Sequence, residues 1–91
     1  MGQNYSRFIH LHLRHDRIPR LLQLWLLGIV DTQKLKLIFR TRVSPKTFRA
    51  GLDMIWVEYD GVSEIYTVKP VKDIVRFFHF SKIEPFSGST T

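Results

Sequence analysis

At 91 residues the chain reads as one domain with a modest core, and 44% hydrophobic with 13% aromatic residues excludes wholesale disorder. It contains no cysteine, which excludes disulfides, thiolate metal sites and cysteine nucleophiles together. The formal charge of +6 is uneven: residues 1–50 hold ten Lys/Arg against Asp16 and Asp31, whereas residues 51–91 hold four against six Asp/Glu.

In chain order, residues 4–15 place Phe8, Ile9 and Leu13 at helical spacing, although the alternation from Ile9 to Leu13 suits a strand equally. Asp16 is in place to cap a second helix with Pro19 in its first turn. That helix carries Leu21, Leu22, Trp25 and Leu26 and stops at Gly28. The run "KLKLIFRTRV" then alternates, with Leu35, Leu37, Phe39 and Thr41 on one side and Lys36, Ile38, Arg40 and Arg42 on the other. It predicts a strand with a basic face. Ser44-Pro45 opens a turn, and "KTFRAG" reads as loop. "LDMIWVEY" predicts the next strand, Asp60-Gly61 a hairpin and "SEIYTV" its return. Pro70 belongs at a bulge, edge or strand end. "DIVRFFHF" predicts the last strand. The expected architecture is α+β: two N-terminal helices packed on a small antiparallel sheet of about four strands. Its expected extent is residues 1–86, with a flexible tail over 87–91.

Catalytic chemistry finds little support. His10, His12, His15 and His79 have no regular ligand spacing with carboxylates, so no metal or other cofactor is expected. Glu58 and Asp60 would share a strand face, but they flank a hairpin, where exposed acids are common. The serines lack a nucleophile elbow, and there is no glycine-rich phosphate loop, so the chain is not expected to be an enzyme. No apolar run reaches the roughly 20 residues of a membrane-spanning helix. Met1 to Ser6 satisfies the short N-myristoylation rule, which leaves a membrane-associated, viral matrix-like protein as one alternative.

What stands out is arginine and lysine interleaved with aromatics. The basic half suggests a polyanion partner, nucleic acid first. Seven of the ten cations in residues 1–50 are arginines, Arg7, Arg14, Arg17, Arg20, Arg40, Arg42 and Arg49, whose planar fork suits phosphate. Trp25, Trp56 and most phenylalanines are expected in the core.

With these elements in order, the chain resembles the N-terminal lobe of small-subunit ribosomal proteins of the S-eight family. Leu13, Arg14 and His15 take the end of that family's first helix, and Gly28, Ile29 and Val30 the end of its second. Val57, Glu58 and Tyr59 stand before its hairpin. Ile65, Val68, Lys69 and Val71 follow its next strand, with His79 where the family has Tyr. The chain departs from the pattern where Lys72-Asp73-Ile74-Val75 replaces the family's "SKPG" turn and where "HDRIP" compresses a strand between the helices. The rRNA-contact loop of the family's C-terminal lobe has only a faint echo in "SGSTT".

The resemblance implies a shortened member of an organellar kind, in a ribosome that is mitochondrial, or alternatively plastid or bacterial. It implies binding to central-domain rRNA beside neighbouring small-subunit proteins, with no small-molecule substrate and no membrane. Arg14, Arg17, Arg20, Lys69, Lys72 and Arg76 are expected nearest the RNA, with Lys36, Arg40 and Arg42 next and Arg7 beside them. "LKLIFRTR" and "VRFFHFSKIEPF" also look like the first and last strands of WYL-type, SH3-like domains, which implies a nucleic-acid-linked regulatory module as a further alternative.

Overall fold

The computed structural model of the chain describes residues 12–84. It has two helices and a four-stranded antiparallel sheet, an α+β arrangement. A short 3-10 turn, His15–Arg17, leads into α1, Ile18–Leu26; α2 spans Thr32–Arg42. The strands are β1 Phe48–Gly51, β2 Ile55–Asp60, β3 Ile65–Pro70 and β4 Phe78–Ser81, ordered β1-β2-β3-β4.

Helix α1 forms where its sequence indicates. Ile18, Leu21, Leu22 and Trp25 recur at i, i+3, i+4 and i+7 and are all buried. Pro19 sits in the first turn, where its missing N–H costs nothing. Asp16 does not cap it: Arg17 holds the N-cap position and its side chain makes no capping bond. The C-terminus is a Schellman turn: Gly28 N donates to Trp25 O and Ile29 N to Leu24 O, both at 3.0 Å, with Gly28 at φ +83°. A Cβ on Gly28 would meet nothing within 4 Å, so its cost is backbone strain alone. Gly28→Ala is therefore expected to lose about 1 kcal/mol in urea unfolding. An unchanged midpoint would mean that the turn does not depend on the left-handed residue.

The largest correction concerns the strand expected over residues 34–43, of which 34–42 belong to helix α2 and only Val43, just after it, is extended. Asp31 caps it, its Oδ1 accepting from Lys34 N at 2.7 Å. Leu35 and Phe39, four apart, are fully buried, while Leu37 and Thr41, which a strand would put on the same side, face solvent. Arg40 and Arg42 lie in the last turn, where the helix dipole favours cations. "KTFRAG", read as loop, contributes β1 instead, paired Phe48 to Tyr59 and Ala50 to Val57. The last strand is also shorter than the expected "DIVRFFHF", beginning only at Phe78.

Of the expected first helix over 4–15, residues 4–11 lie outside the described residues, as do Arg7, His10 and the expected tail 87–91. Arg14 is extended, and Leu13 bridges Val43 in parallel, its N–H donating to Arg42 O. Residues 15–19, set against a strand by the ribosomal resemblance, form the 3-10 turn and the start of α1. The hairpin stands: β2 and β3 pair throughout, and Pro70 ends β3. Asp60 closes its loop, accepting from Val62 N, Ser63 N and Ser63 Oγ at 2.9, 3.3 and 2.8 Å.

One sheet face carries Phe48, Ile55, Val57, Tyr59, Tyr66, Val68 and Phe80, all buried under the helices. Fully burying one such side chain stabilises by about 1.5–3 kcal/mol. The Phe39 ring stacks on Tyr66 at 5.2 Å and Phe80 at 6.0 Å, and Tyr66 donates its hydroxyl to Phe39 O at 2.7 Å. That satisfied hydroxyl explains how a polar side chain sits at the centre of the core. Burial also raises its ionisation well beyond the ordinary phenol range.

Candidate polyanion-binding surface

The two layers treat their cations differently. On the outer sheet face, register brings Arg49 beside Glu58, and Glu58 one strand from Lys69. Glu58 gathers both: Lys69 Nζ donates to Oε1 at 3.1 Å, and Arg49 Nε lies 3.7 Å from Oε2. The Trp56 indole N–H donates to Oε2 at 3.0 Å. The bond from Lys69, then that from Trp56, hold the Glu58 carboxyl below its ordinary value of 4.5. A lowered folded pKa stabilises above the unfolded pKa and loses that stabilisation as pH falls through the folded value. Glu58→Gln should therefore lower Tm at pH 7, with the gap to wild type closing as pH drops below 4.5. Added salt should shrink the gap too, because the pair is exposed. Equal Tm values at pH 7 would show the cluster to be energetically silent.

The expected contact edge of Lys69, Lys72 and Arg76 does not form one surface. Lys69 is on the outer sheet face, engaged by Glu58; Lys72 is exposed in the segment after β3. Arg76 folds back onto the helix layer, its guanidinium 4.7 Å from the centre of the Trp25 ring and its Nη1 donating to Trp25 O at 2.8 Å. It closes the exposed end of α1, so its role there is structural. Lys36 lies over Phe78 and Phe80, at 5.6 and 5.8 Å from their ring centres. Arg40 and Lys82 meet along the same flank, Lys82 Nζ donating to Arg40 O at 3.2 Å.

The remaining cations behave otherwise. Among the described residues, the side chains of Arg17, Arg20, Lys34, Arg42, Lys46 and Lys72 have no hydrogen-bond or ion-pair partner. Five of these six belong to the helices and the turn that follows them. Arg17 and Arg20 are three apart at the start of α1 and share its outer side. The Leu13–Arg42 bond brings Arg14 beside the C-terminus of α2, and Arg14 and Lys46 line one pocket. Arg14 and Lys46 thus share one pocket, close to the chain end of α2 that carries Arg42. Asp16 lies 3.7 Å from Arg14 Nε, with both side chains mostly exposed.

Lys34 and Lys46 were not among the expected contact residues. Read as the start of a strand and as a loop, they carried no signal beyond their charge. No group of three His, Asp or Glu side chains among the described residues converges to hold a metal ion. No helix among them is long and apolar enough to cross a membrane. Compared with known proteins, the chain matches no family model, no curated protein and no solved structure.

Proposed function

We propose that the chain is a non-catalytic RNA-binding domain that grips phosphates through its helix layer and the adjoining Ser44–Lys46 turn. The observation that carries this reading is the segregation of unpartnered cations: the sheet's Arg49 and Lys69 are engaged by Glu58, whereas Arg17, Arg20 and Arg42 have no side-chain partner among the described residues. Holding several like charges on one side costs self-repulsion, which a polyanion relieves. Structured RNA suits this surface, because A-form helices are recognised by phosphate and shape contacts more than by base edges.

The setting we propose is the small ribosomal subunit, with central-domain rRNA as the ligand, on the strength of the sequence resemblance alone. The test is binding of a structured RNA hairpin followed by fluorescence anisotropy across a salt series, beside sedimentation of the protein from its native cells. Log-affinity should fall linearly with log salt, with a slope of about −3 to −5 for four to six contacts. Co-migration with a small ribosomal subunit supports the setting. A protein that binds no RNA at low salt overturns the whole reading, while binding without ribosomal co-migration overturns only the setting.

A further inference from the structure

We infer that the pocket formed by Arg14, His15, Ser44 and Lys46 is a seat for a single tetrahedral oxyanion of the phosphate class. The pocket measures about 210 Å³. A water occupies roughly 30 Å³ of liquid, so the space admits a phosphate group with part of its hydration shell. Among the described residues its lining holds an arginine, a lysine, a hydroxyl and an imidazole, and no carboxylate. Arginine and lysine are donors only, and serine and a protonated imidazole nitrogen add two more. A set of donors carrying two full positive charges matches an oxygen-rich dianion better than any neutral ligand.

The walls are held in place before anything binds. Arg14 follows the Leu13–Val43 bridge that ties the entering chain to the end of α2. The His15 ring stacks on the buried Phe48 ring, 4.2 Å between centres at 23°. Across the pocket, Lys46 N donates to Ser44 O at 2.9 Å, closing a tight turn around Pro45. Thr47 is anchored in turn, its Oγ1 accepting from Gly61 N at 2.9 Å. Preformed walls spare a ligand the cost of ordering them.

Two further observations point to a ligand. His15 Nε2 is enclosed yet has no hydrogen-bond partner among the described residues, the kind of orphan that a bound water or ion commonly completes. Lys46 has no partner among the described residues. Asp16 does not fill the pocket's role as counter-charge: it approaches Arg14 only at Nε, at 3.7 Å, beyond hydrogen-bond length. The Arg14 side chain is mostly exposed and makes no hydrogen bond among the described residues. The inference goes beyond the RNA reading and does not rest on it, because a discrete oxyanion seat would serve a free phosphate or a terminal phosphate equally.

The test is a titration of the isotope-labelled full chain with inorganic phosphate, followed by the His15 ring signals and the backbone amides of residues 14–17 and 44–46. Saturable shifts confined to these residues, with a dissociation constant on the order of millimolar, are expected. Arg14→Ala with Lys46→Ala, both at exposed side chains, should weaken saturation at least about tenfold, as expected when two charged donors are lost. Arg17→Ala with Arg20→Ala should leave it within about twofold. Shifts that stay linear and spread over every basic residue would overturn the site, as would wild-type saturation in the Arg14/Lys46 double variant.

A second arm identifies the source, using one short RNA with a 5′-phosphate or a 5′-hydroxyl. A preference for the phosphorylated end that vanishes in the double variant assigns the seat to a terminal phosphate. Saturation by inorganic phosphate with no such preference assigns it to free phosphate. Phosphate binding without any RNA binding sinks the RNA reading and leaves the seat. RNA binding through Arg17, Arg20 and Arg42 with a silent pocket does the reverse.

Discussion

Phe39→Ala is expected to cost about 3–5 kcal/mol, whereas Leu37→Ala two positions earlier should stay within about 0.5 kcal/mol. Phe39 is fully enclosed, stacked on Tyr66 and Phe80 from the helix side, and its carbonyl holds the Tyr66 hydroxyl. Truncation to Ala removes the ring that joins α2 to the sheet centre and leaves a cavity among aromatic neighbours that cannot collapse onto it. For a domain whose total stability is of order 5–15 kcal/mol, such a loss brings unfolding near ambient conditions.

Leu37 is 37% exposed and belongs to the solvent side of the helix. The contrast is what tests α2, because a strand over 34–43 would put Leu37 and Phe39 on one face and make both changes costly. Urea unfolding of the two variants, with comparison of midpoints and slopes, decides it. Similar large losses for both would overturn the helical assignment.

Replacing Arg17, Arg20 and Arg42 together with Ala is expected to weaken binding to a structured RNA hairpin by about 10–100-fold near 100 mM salt. It should also reduce the salt slope by two to three units, about one per lost phosphate contact. None of the three side chains has an internal partner among the described residues, so folding stability should change little. The matched control is Arg49→Ala with Lys69→Ala on the outer sheet face. Those cations are already engaged by Glu58 and should change affinity by no more than about threefold, since exposed pairs give little either way. Anisotropy titrations at four salt concentrations separate the two surfaces. A larger loss in the sheet-face variant would move the RNA to the other layer, and equal insensitivity in both would end the phosphate-gripping proposal.

Substituting Arg76 would be a poor probe of RNA binding, although the sequence suggested it. Its guanidinium is tied to Trp25 O, the carbonyl that also closes the Schellman turn. Any loss of binding there would be mixed with loosening of the end of α1. The same logic separates Lys36, which covers Phe78 and Phe80, from Arg17, Arg20 and Arg42, whose side chains have no partner among the described residues.

Some of this protein is determined by local sequence. Helix α1 follows from Leu21, Leu22 and Trp25 at helical spacing with Gly28 behind them, and no other local structure satisfies that pattern. The β2–β3 hairpin follows from two alternating runs joined at Asp60-Gly61, where Asp60 supplies the loop's bonds from its own side chain. The excess of cations in residues 1–50 likewise gives the helix layer its charge without any knowledge of packing.

Tertiary structure decided the rest. Leu35 and Phe39 satisfy periods of two and of 3.6 alike, so residues 34–43 are locally ambiguous. A sheet face that needs a second helix to cover it selects the helix, which the local Asp31 cap then starts. Strand β1 is four residues with a glycine, too short to show alternation, and exists because β2 offers it a paired edge. Which cations are neutralised depends on strand register in the case of Glu58, and on a contact spanning 51 residues in the case of Arg76 and Trp25. Charge is a property of composition, but its availability to a partner is a property of packing, because only packing brings a counter-charge or a carbonyl within a few ångströms.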